Sequence, residues 1–157
     1  MNSKILLALL CAAATFAETP SATVPYPADY RQWTHIKSTI VGPRDPGFAV
    51  NGGLHHFYAN HKAMEGYKTG KFPDGSVLID DLLEIKENAG IGSEGTRRRV
   101  AVMHKDSAKF RDSGGWGFEV FKADDSSPAL NAEAKASCFA CHSKRKDTDL
   151  TFTKFRK

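Results

Sequence analysis

Residues 135–146 read Lys-Ala-Ser-Cys-Phe-Ala-Cys-His-Ser-Lys-Arg-Lys, and within them Cys138-Phe139-Ala140-Cys141-His142 spells C-x-x-C-H. Two cysteines three apart share one helical turn, so both sulfurs face the two vinyl groups of a haem. The histidine that follows turns its imidazole to the iron. The motif assigns one haem c, covalently attached through Cys138 and Cys141, with His142 as the metal ligand. A redox dithiol belongs after an early strand of a βαβ unit and opens a helix, whereas this pair lies close to the end of the sequence. A zinc site needs two more good ligands, and no second cysteine pair is present.

The third cysteine of the chain, Cys11, lies in an N-terminal stretch that reads as an export signal. Lys4 precedes an apolar run from Ile5 to Ala14, too short to span a bilayer, and Thr15-Phe16-Ala17 supplies small residues for cleavage. The expectation is a signal peptide over residues 1–17, a single domain over 18–157 and a periplasmic location without membrane insertion. A lipid anchor on Cys11 fits less well, because Leu10 is bulky at the position before it. Cleavage takes Lys4 away, leaving 21 of 22 basic residues against 18 acidic ones, a net charge near +3. So mild a charge on an exported chain excludes nucleic acid and leaves room for a weakly acidic redox partner. About 140 residues make one ordinary domain with a real core.

The elements that must position the motif are short. Ala28 or Asp29 opens a short helical segment to Trp33, and 34–41 alternates partially with β-branched residues, as a half-buried strand does. Residues 44–53 read as turn and loop, and 54–60 as an aromatic strand. A helix follows over 61–70, with Asn60 as N-cap and Gly70 as stop. Pro73-Asp74-Gly75 is a turn that launches a strand from Ser76 to about Glu87. Residues 89–96, with three glycines, read as a hairpin loop or mobile flap. Strands over 97–106 and 116–123 flank a turn at 112–115, and Ser127-Pro128 marks the entry to a helix that carries the haem motif. In the alternating tail, 148–155, Leu150, Phe152 or Phe155 packs back on the body. The pattern is five or six strands with little helix until the end, which excludes a helical cytochrome or four-helix bundle. The fold class is α+β, dominated by an antiparallel β-sheet, with a short N-terminal helix and a C-terminal haem-bearing helix.

"DYRQW" (29–33), "YKTGKFPDGSV" (67–77), "HKDSAKF" (104–110), "GGWGFEVF" (114–121) and the segment from Ala136 to the tail, in this order around C-x-x-C-H, resemble the cytochrome P460 / cytochrome c′-beta family. The resemblance runs from about Tyr26 to Phe155. It implies a sheet-rich fold, a homodimer, and a five-coordinate haem with histidine below and an open face above. P460 members oxidise hydroxylamine; c′-beta members bind nitric oxide and carbon monoxide. P460 enzymes carry a lysine, bonded to the haem edge, on the strand after the F-x-D-G turn. Laid on this sequence without a gap, that position is Asp80, whose carboxylate cannot supply the amine. Lys86 lies about 20 Å farther along an extended strand. The family's distal carboxylate position, counted back from "HKDSAKF", is Ala101.

These substitutions favour the gas-binding branch. An apolar lid admits neutral diatomics and offers no hydrogen bond to water or dioxygen. Phe48 and Phe57 are its candidates, with Leu78 on the strand face of Asp80. Arg99 is a candidate distal donor or propionate clamp, and Lys144, Arg145 and Lys146 are further propionate partners or a solvated tail. Met64, Met103, His35, His55, His56, His61 and His104 are the candidate sixth ligands of an electron carrier. His55 and His56 point to opposite faces of a strand, so one at most faces the haem. Asp80 beside the haem edge is a candidate proton relay. A hydroxylamine- or nitric-oxide-oxidising redox enzyme and a six-coordinate electron-transfer cytochrome are the alternatives to binding nitric oxide or carbon monoxide.

Overall fold

The structure, a computed structural model, describes residues 23–123 and 125–156. The expected signal peptide lies outside them. The chain forms a five-stranded antiparallel meander in the order β1-β2-β3-β4-β5. Its strands are β1 (Thr34–Val41), β2 (Gly53–Ala59), β3 (Val77–Asn88), β4 (Ile91–Lys105) and β5 (Trp116–Lys122). Two α-helices of the described residues interrupt the meander, α1 (Phe48–Asn51) between β1 and β2 and α2 (His61–Thr69) between β2 and β3, and α3 (Ala132–His142) follows β5. The expected α+β, sheet-dominated architecture is what the chain adopts.

Local chemistry accounts for the short elements. The Asn60 side chain accepts from the Ala63 N–H, and Gly70, at φ 78°, closes α2 in the left-handed region. Asn60 also accepts from Val77 N–H and donates to the Gly75 carbonyl, tying the α2 entry to the start of β3. The N-terminal helix is one 3-10 turn, Tyr30–Gln32.

Three expectations need correction. Residues 91–96 are strand, not flap: Ala89 (φ 49°) and Gly90 (φ 80°) alone close the β3–β4 hairpin. Two successive positive φ values match the twist of the flanking strands, and the cost of glycine inside a strand is outweighed by cross-strand pairing. Residues 44–53 contain α1, where a loop was expected. Ser127-Pro128 does not enter the haem helix; Pro128 pairs with Phe121 along the sheet edge, and Asn131 caps α3 by accepting from Ala134 N–H.

The sheet is covered on both faces. On one, Val24 and Tyr30 pack on Ile79, Val100, Val102 and Phe121. Asp81 is fully buried there, accepting from the Tyr30 hydroxyl at 2.8 Å and Arg97 Nε at 2.8 Å, with Arg31 Nε at 3.3 Å. Burial and the Asp81 charge push the Tyr30 phenol far above its usual range, so it remains a donor. On the other face, Ala59, Leu78, Trp116 and Phe118 pack with Ala63 and Phe72 from the α2 region and with Leu150 from the tail.

Candidate haem site

The second face carries the site. Register aligns Phe57, Asp80, Ala101 and Val120 in one row across β2 to β5, and Leu78, Met103 and Phe118 in the next. These rows floor a cavity of about 750 Å³, within the 300–1,000 Å³ range of small-molecule and cofactor sites. Opposite the sheet, α3 supplies Cys138, Cys141 and His142 to the lining, and the tail adds Thr151 and Phe152. Helix α3 is anchored to β5 by Lys135, whose Nζ lies 2.9 Å from the buried Glu119 carboxylate. Glu119 also accepts from the Val120 and Leu130 N–H groups.

The surroundings of His142 suit a neutral ligand. Its Nδ1 lies 2.7 Å from the Leu150 carbonyl, which only accepts, so Nδ1 carries the proton and Nε2 the lone pair. Burial lowers the ring's affinity for a second proton, against the smaller opposing effect of that carbonyl. The rings of Phe118 and Phe152 flank the imidazole, with centroids at 5.1 and 4.9 Å. The Leu150 carbonyl is aimed by a reversal of the chain after α3. Asp149 (φ 48°) and Leu150 (φ 66°) both occupy the left-handed region, a strained arrangement for side-chain-bearing residues. Asp149 is tied down by Phe72 N–H and Lys105 Nζ, each at 2.9 Å, and its carbonyl accepts from Trp116 Nε1. A neutral imidazole with a fixed tautomer, two thiols on the same helical face and an apolar cavity before them fit a covalently attached haem.

Of the expected site residues, Phe57, Leu78, Asp80, Arg99, Ala101, Cys138, Cys141 and His142 line this one cavity. Phe48 does not; it begins α1 with its ring over Gly52 and is 40% exposed. Among the described residues no lysine lines the cavity, and Lys86 pairs with Ser93 on the exposed part of the β3–β4 hairpin. Arg99 donates to the Val50 carbonyl and the Asn51 side chain, fastening α1 to the sheet. Arg145 stacks on Phe152.

The candidate sixth ligands separate by face. His56 points away, to Ser38 and Glu94, His35 bonds Ser38, and His104 sits against Phe110. His61 is exposed at the start of α2, and Met64 packs in the apolar cluster beside α2. His55 and Met103 do line the cavity. Both His55 nitrogens are engaged, Nδ1 with Asp80 at 2.8 Å and Nε2 with the Asn51 carbonyl at 2.7 Å. Sequence reasoning missed this pairing, the Glu119–Lys135 anchor and the role of α1. The first depends on the register of β2 against β3, which no local pattern encodes.

The profile of the cytochrome P460 family matches residues 27–153. No curated protein matches the chain. The match covers most of the sequence, so the chain belongs to the cytochrome P460 family and is a c-type haem protein.

Proposed function

We propose that this cytochrome P460 family member is an exported monohaem protein that binds a small diatomic gas, nitric oxide or carbon monoxide, at an iron held by His142. Cys138 and Cys141 form the thioether tethers. A haem held there would supply an iron centre able to take up a small external ligand. The observation that carries the reading is the inventory of ring nitrogens: His142 alone, among the cavity-lining histidines, has an unengaged one. Phe57, Leu78, Ala101 and Met103 give the lining an apolar character suited to neutral diatomics. The natural oxygen-stabilising donors on that wall, the His55 ring and the Arg99 terminal nitrogens, are engaged instead with Asp80 and with α1. A homodimer and a redox partner belong to the same proposal. No helix among the described residues is long and apolar enough to cross a membrane.

One observation favours a second reading, a redox enzyme acting on hydroxylamine: the Asp80 carboxylate lines the cavity and is able to accept a proton. Two measurements separate the readings. Reduced protein should change its absorption spectrum on addition of carbon monoxide and show negligible hydroxylamine turnover with a dye acceptor. A haem peptide heavier than two thioethers allow, or brisk turnover, favours the enzyme.

A further inference from the structure

His55 is 5% exposed, and each of its ring nitrogens faces a group that only accepts. Nε2 lies 2.7 Å from the Asn51 carbonyl, and Nδ1 lies 2.8 Å from Asp80 Oδ1. A neutral imidazole has one N–H donor and one lone pair, so it satisfies one of these contacts and sets a lone pair against an oxygen in the other. Both are satisfied when the ring carries two protons. The Asn51 carbonyl belongs to α1, whose Val50 and Asn51 line the cavity. Helix α1 has four residues and no buried side chain, so its hold on the sheet comes through polar groups: His55, Arg98 on the Gly52 carbonyl, and Arg99.

We propose that His55 is a positioning residue, held as an imidazolium between Asp80 and the Asn51 carbonyl, whose proton fastens α1 across the rim of the haem cavity. The proposal rests on the haem-site reading above and adds to it a pH-dependent ligand entry. The charged groups facing His55 are Asp80 from β3 and Arg99 from β4; α1 presents only backbone and amide groups, and Phe57 stacks on the ring at 6.0 Å. Burial and Arg99 oppose the second proton, but Asp80 and the Asn51 carbonyl outweigh them, and the ring's pKa is raised. A raised value means that the closed arrangement is complete below the ordinary histidine range, near 6.5, and is lost as pH rises through the higher folded-state value. Ligand entry should therefore quicken toward alkaline pH.

The test uses the reduced holoprotein with carbon monoxide. Nitrogen-15 NMR of labelled histidine should show both His55 nitrogens protonated at pH 7, with deprotonation above 6.5. The carbon monoxide association rate should rise several-fold through the same transition. In Asp80→Asn the amide donates to Nδ1 while Nε2–H keeps the Asn51 carbonyl, so a neutral ring is satisfied and the step should flatten. In His55→Phe the rate should match the alkaline wild-type rate at every pH. The propionates of the bound haem are common to all three proteins, so the comparison isolates His55. A neutral His55 ring at pH 7, or a full-sized step retained in Asp80→Asn, overturns the proposal. Absence of any carbon monoxide uptake instead overturns the gas-binding reading, and the NMR measurement still reports the His55 ring.

Discussion

His142, Cys138 and Cys141 illustrate how much chemistry a residue's neighbours decide. The three are legible in the sequence because one helical turn fixes their relation. What suits His142 to its proposed role as ligand, however, is the Leu150 carbonyl eight residues on, which selects the tautomer. Replacing both Cys138 and Cys141 with alanine should yield protein whose haem is removed by acid-acetone; covalent haem surviving in that variant would reveal a second attachment. On the opposite face, Asp81 is fully buried between Arg97 and Arg31. Its removal in Asp81→Ala leaves cations facing the gap without their carboxylate. The expected loss is about 3–5 kcal/mol in urea unfolding, whereas Tyr30→Phe, which removes one hydrogen bond to Asp81, should cost about 1–2 kcal/mol. A near-zero effect of Asp81→Ala would show that the buried charge is not compensated as described. The His55–Asp80 pair was hidden from sequence reading: residues 25 apart meet because α2 returns β3 alongside β2 in one register.

Among the elements, β1 and α2 were legible from pattern and caps, since Asn60 and Gly70 carry their signals locally. The β3–β4 hairpin was not. Its glycines at 90, 92 and 95 suggested a loop, but Ala89 and Gly90 suffice for the turn, and the rest is decided by pairing with Ile85, Lys86 and Glu87. The start of α3 was likewise obscured by Pro128, which serves the sheet edge. The reversal after α3 is the element on which the site depends most. Asp149 holds two successive left-handed residues in place through Lys105, Phe72 and Trp116. Asp149→Ala should lose about 3 kcal/mol of stability, the order expected when one partner of a largely buried ion pair is removed. It should also disturb the orientation of His142, visible as a changed ferric haem spectrum. Asp149→Asn, which tolerates the same backbone conformation, should disturb that spectrum less.

At the scale of the whole molecule, two carboxylate–lysine pairs fasten the haem-bearing segment to the sheet: Glu119 with Lys135 and Asp149 with Lys105. Burial alone would raise both carboxyl pKa values, but the lysines and backbone N–H donors outweigh it and lower them. A lowered folded-state value contributes stability that is present above the ordinary carboxyl range, near pH 4, and lost as pH falls through the folded values. Hydrogen exchange should therefore show α3 and the tail loosening below about pH 4 before the β2–β4 core does. Uniform loss across the sheet and α3 would contradict a separately fastened segment. The sheet-dominated class was readable from strand periodicity, yet the cavity was not, because it exists only where five strands in register face α3 and the tail.

The proposed gas binding requires that His142 be the one protein ligand to the iron. The most direct measurement is the carbon monoxide difference spectrum of the reduced holoprotein at neutral pH. A prompt, saturable shift of the Soret band is expected. A spectrum that stays unchanged at saturating carbon monoxide, with the band pattern of a six-coordinate iron and its loss in Met103→Ala, would contradict it.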